Sequence, residues 1–122
     1  MGTTSQYRPS GPLLLITAGR YEALERILHA KGYTVVVPPT PDGGVAVCLH
    51  NRIAAVLIDE DTATDVEDWS VARSLKAVSP STPVLLLVHD PDRYRDLPPG
   101  VDCVVSASEP TQVLNALRNC AA

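Results

Sequence analysis

Five short apolar runs organise the chain, PLLLITA, YTVVVP, IAAVLID, PVLLLVH and VDCVVSA, and each is followed by a segment of helical character. The runs are continuous rather than alternating, which reads as strands buried on both faces, with helices packed on each side of a parallel sheet. Strands and helices in strict alternation predict a (βα)5 α/β sandwich. Phenylalanine is absent although 45% of the residues are hydrophobic, so Val, Leu, Ile and Ala must build the interior. A chain of 122 residues supplies one domain. Residues 12–122 carry the pattern, and the polar stretch 1–11 reads as a flexible tail.

The helical segments announce themselves unevenly. Tyr21, Leu24, Ile27 and Leu28 share one face, and Gly32 is placed to stop that helix. Asp42, Gly43 and Gly44 open a second segment in which Val45, Cys48 and Leu49 line up. Thr64 and Glu67 are spaced as a capping box ahead of Val71, Leu75 and Val78, with Trp69 in the first turns and Ser79-Pro80 as the end. After the fourth apolar run, DPDRYRDLPPG has few apolar residues and a Pro98-Pro99 pair, so a helix there is two turns or less. The last helix starts near Ser108, takes Pro110 into its first turn, and buries Val113, Leu114, Leu117 and Cys120.

Charge and composition exclude several functions. A formal charge of −4 with acids and bases interspersed offers no basic footprint for nucleic acid. No run approaches the roughly 20 apolar residues of a membrane span, and the polar start lacks the regions of a signal peptide. Three cysteines, Cys48, Cys103 and Cys120, are odd in number and lack CxxC spacing, which fits a reduced cytoplasmic setting rather than zinc or disulfides. Cys103 falls inside a strand and reads as core.

GYTVVV after the first helix, VLID ending at Asp59, and PVLLLV followed by GVDCVV together resemble a response-regulator receiver domain of the chemotaxis-receiver type. The likeness runs from Pro12 to the C-terminus. It implies a flavodoxin-like doubly wound fold, a five-stranded parallel sheet in order 2-1-3-4-5, here with a shortened fourth helix. It also implies a role in two-component phosphorelay signalling, with Asp59 as the phosphorylation candidate. In such domains two acidic residues end the first strand and bind Mg²⁺ together with the acceptor aspartate.

Here the acidic pair is Thr17 and Ala18, so no cofactor is expected and Mg²⁺ binding is disfavoured. The hydroxyl residue ending the fourth strand falls on Val88, the lysine ending the fifth on Ala107, the proline after it on Ser108, and the switch aromatic on Val104. The resemblance therefore implies an atypical, degenerate member, a pseudo-receiver in which phosphorylation of Asp59 is impaired or absent. Such a domain acts through protein partners: a sensor kinase, a downstream effector or a second copy in a homodimer.

Other residues carry groups capable of chemistry. Arg20 could reach Asp59 and substitute for the missing cation, against the plainer reading of a solvated arginine. Glu60 and Asp61 could join Asp59 at a metal, but successive strand residues point to opposite sides. His89-Asp90 could form a dyad, yet no nucleophile is placed beside it, and the histidine reads as a loop residue. His29 and His50 have no ligand partner at helical spacing. A flavodoxin-like enzyme or ligand-binding domain would need a phosphate-cradling loop, and TAGRYEA has a single glycine there. No catalytic residue is assigned, and the third reading is a non-signalling structural adaptor.

Overall fold

The computed structural model describes residues 11–17, 21–60 and 69–121. Five strands, β1 (Leu13–Ile16), β2 (Val35–Val36), β3 (Ala55–Asp59), β4 (Val84–Val88) and β5 (Cys103–Ser106), form one parallel sheet in the order β2-β1-β3-β4-β5. Among the described residues the α-helices are α1 (Glu22–Ala30), α2 (Pro41–His50), α3 (Ser70–Val78) and α4 (Pro110–Ala121). This is the expected doubly wound arrangement. The expected shortened fourth helix is a single 3₁₀ turn, Pro91–Arg93.

Alternation along each strand divides the core in two. Leu13, Leu15, Leu57, Leu85 and Leu87 meet Leu24 and Leu28 of α1 and Val113 and Leu117 of α4. On the other face Leu14, Ile16, Val56, Ile58, Leu86 and Val88 meet Cys48 of α2 and Val71 and Leu75 of α3. The strands are continuous apolar runs because both faces are covered. Burial pushes the Cys48 thiol pKa up, which keeps it in the neutral form.

Local signals explain the helix ends. Gly32 at φ +91° closes α1: its amide donates to the His29 carbonyl at 3.0 Å and the Tyr33 amide donates to that of Leu28 at 3.0 Å. That pair of bonds is a Schellman stop, and Tyr33 and Leu28 are both buried beneath it. Helix α2 forms despite its two glycines because Thr40 caps it, its hydroxyl accepting from the Gly43 amide at 3.1 Å, and Pro41 fits the first turn.

Two sequence expectations need correction. Leu49 does not join Val45 and Cys48 on the buried side of α2; it is 59% exposed. The buried line of α2 runs from Gly44 to Cys48, and Leu49 is rotated about 100° from Cys48. Trp69 is not within the third helix but immediately before it, with φ 59° in the left-handed region, so α3 begins at Ser70. The Thr64–Glu67 capping box lies outside the described residues, as do residues 1–10 of the expected tail. The side chain of Cys120 also lies outside the description.

The amino end of the sheet is fastened by its own polar group. Asp102 accepts from the Val84 amide at 2.8 Å and pairs with Lys76 at 2.5 Å, while Lys76 also donates to the Thr82 carbonyl at 2.9 Å. Helix α3 and the starts of β4 and β5 are thereby joined at the edge away from the strand carboxyl ends. No helix of the described chain is long and apolar enough to cross a membrane.

Candidate functional site

In a sheet of this order the working edge is the row of strand carboxyl ends. The register Ile16↔Ile58, Asp59↔Leu87 and Val88↔Ser106 brings Thr17, Asp59, Val88 and Ser106 to that edge. Thr17, the residue after β1, donates its hydroxyl hydrogen to Asp59 Oδ2. Asp59 itself is 2% exposed. A carboxylate at position 17 would repel Asp59 or share a cation with it; a hydroxyl instead satisfies one of its oxygens directly.

The remaining expected pocket positions carry no donor side chains. Val88 is fully buried as the last residue of β4, and Ala107 is half-buried, its amide donating to the Val88 carbonyl at 2.8 Å. Val104 packs partly into the core of the α2/α3 face. Ala18 and Arg20 lie outside the described residues. Among the described residues no cluster of three His, Cys, Asp or Glu side chains is placed to hold a metal ion.

Glu60, one residue beyond Asp59, turns to different partners. Its Oε1 accepts from the His89 amide at 3.0 Å and its Oε2 from the Tyr94 hydroxyl at 2.6 Å. Burial pushes its carboxyl pKa up, but the Tyr94 and His89 hydrogen bonds and the positive charge of His89 and Arg93 outweigh that and hold it below the ordinary glutamate value. The Tyr94 ring stands edge-on to Trp69, centroids 6.5 Å apart at 77°. Trp69 in turn packs against the α2/α3 core.

Of the His89-Asp90 pair, Asp90 caps the 3₁₀ turn, its Oδ1 accepting from the Asp92 amide at 3.1 Å, and His89 is exposed. Two features are announced by no motif in the sequence. One is the carboxylate role of Glu60. The other is Ser106, buried at the end of β5 and sharing a 3.0 Å hydrogen bond with Ser108. A polar residue ending the otherwise apolar run CVVS was the available signal for Ser106.

The whole molecule is similar to solved receiver domains. The receiver domain of a Pseudomonas aeruginosa sensor histidine kinase, solved with magnesium coordinated in its active-site cleft, matches with a TM-score of 0.74 at 18% identity, over 92% of this chain and 98% of that one. The signal receiver domain of an HD domain-containing protein from Pseudomonas fluorescens matches at 0.76 and 17% identity, over 98% and 92%. A CheY-like receiver domain protein from Methanospirillum hungatei matches at 0.71 and 18% identity, over 92% and 94%. At such identities the likeness establishes the fold, which is that of receiver domains. No protein-family model matches the sequence, and no curated protein matches it.

Proposed function

We propose that this chain is an atypical response-regulator receiver domain of two-component signalling, cytoplasmic, working through protein contacts, with phosphorylation at Asp59 impaired. The observation that carries this reading is the Thr17 hydroxyl seated on Asp59 at the carboxyl edge of a receiver-type sheet. The working edge and the acceptor carboxylate are in place. Among the described residues, Val88 and Ala107 offer no group to compensate a phosphoryl charge.

A phosphoryl group on Asp59 adds nearly two negative charges. It would crowd the oxygen that holds the Thr17 bond and would sit next in sequence to Glu60, whose pKa is held below the ordinary value. Val88 has no hydroxyl to donate, and neither Ala107 nor Ser106 carries a positive charge. Mg²⁺ fits the described residues poorly, because Asp59 is a single carboxylate and both oxygens of Glu60 serve His89 and Tyr94. Binding rather than catalysis is the chemistry left to this edge. A receiver domain of a sensor histidine kinase among the structural neighbours supports a sensor kinase or effector as the partner class, with a second copy of this chain as another.

The test is a titration with beryllofluoride and Mg²⁺ followed by the fluorescence of Trp69, the single tryptophan. No saturable change is expected at millimolar reagent. A saturable, Mg²⁺-dependent change that disappears in Asp59→Asn would overturn the reading.

A further inference from the structure

Glu60 is a buried carboxylate, 7% exposed, that the chemistry of Asp59 does not use. Its two oxygens take donors from one short segment, the His89 amide and the Tyr94 hydroxyl, with the 3₁₀ turn Pro91–Arg93 lying between them. The carboxylate therefore closes a loop of six residues at both of its ends. Through the Tyr94 ring the same segment rests on Trp69 at the start of α3.

The regular structure of this segment is one three-residue 3₁₀ turn, and Leu97, the next large apolar side chain, is 55% exposed. The Tyr94 ring packs against the α2/α3 core, and its hydroxyl adds a directed bond to Glu60. Hydrogen bonds to an ionised acceptor in a low-dielectric setting are the stronger kind, and their geometry is specific.

We propose that Glu60 is a latch, its carboxylate holding the segment from His89 to Tyr94 against the start of α3 in one conformation, a task that a full helix after β4 would otherwise perform by packing. The surface after β4 is then presented to a partner in a fixed shape, whatever happens at Asp59. That consequence rests on the protein-contact function proposed above, whereas the latch itself rests on the geometry of Glu60.

Amide hydrogen exchange by mass spectrometry on the full chain tests it, comparing wild type with Glu60→Gln, Tyr94→Phe and Thr17→Val. Tyr94→Phe keeps the ring and removes only the hydroxyl, so it reads the latch even where Glu60→Gln compromises folding. Peptides covering residues 89–97 are expected to exchange about ten- to a hundredfold faster in Tyr94→Phe and in folded Glu60→Gln. Strand β1 should keep its protection, Trp69 emission should change, and Thr17→Val should leave 89–97 as in wild type. Wild-type exchange of 89–97 in Tyr94→Phe overturns the latch. A phosphoryl adduct on Asp59 would instead remove the functional reading and leave the latch standing.

Discussion

Thr17 donates a hydrogen bond to the carboxylate of Asp59 across the seam between β1 and β3. The pairing puts a neutral donor against the one carboxylate that a receiver-type sheet would offer to phosphoryl transfer. It ties Asp59 into the folded structure.

Removing that donor should therefore cost stability. Thr17→Val keeps the shape and leaves a 2% exposed carboxylate with one donor fewer, and a loss of about 1–3 kcal/mol is expected in chemical denaturation. Thr17→Ser should recover most of it.

Placing a carboxylate there should create a dependence on metal. In Thr17→Asp two anions meet at the edge, so stability at neutral pH falls and is restored by millimolar Mg²⁺, while wild type is indifferent to the ion. Thermal unfolding with and without Mg²⁺ reads both.

Acid should weaken the fold through Glu60. Its folded pKa lies below the ordinary glutamate value, so its stabilisation is fully present above about pH 4.3, the unfolded reference. That contribution is lost as pH falls further through the folded value. The groups that set it are Tyr94, His89 and Arg93. Wild type and Glu60→Gln should accordingly differ most in unfolding free energy at neutral pH and converge in acid, as urea titrations across pH will register.

Gly100 should not tolerate a side chain. Its φ is +81°, and a Cβ there would stand 2.7 Å from the backbone carbonyl of Ala72 in α3. Neither the conformation nor the approach can relax without moving α3 from the entry to β5. Gly100→Ala should cost upwards of about 2 kcal/mol in thermal unfolding.

The sheet was legible because its signal is local. LLLI of β1 and VLLLV of β4 are apolar at every position, and only strands covered on both faces make such runs useful. Gly32 and Ser79-Pro80 likewise act within a turn of where they stand. Glu60 was opaque for the opposite reason: its partners lie 29 and 34 positions away, and one is a backbone amide that leaves no trace in residue type. Adjacency in sequence sets Glu60 beside Asp59 and Asp61 as a metal candidate, yet β3 ends at Asp59 and Glu60 lies beyond it, its oxygens taken by His89 and Tyr94. DPDRYRDLPPG offered a hint, since a stretch too poor in apolar residues to pack as a helix must be held by something else, and Tyr94 is its one residue with both a ring and a donor. In the sequence Thr17 stands only in place of a metal ligand; its role as a donor to Asp59 follows from the register of β1 on β3.

The most direct measurement is intact mass after incubation with acetyl phosphate and Mg²⁺, run on wild type and Asp59→Asn. The account predicts that wild type stays at its unmodified mass, as Asp59→Asn does. A stable, metal-dependent gain of one phosphoryl group in wild type, absent from Asp59→Asn, would contradict it.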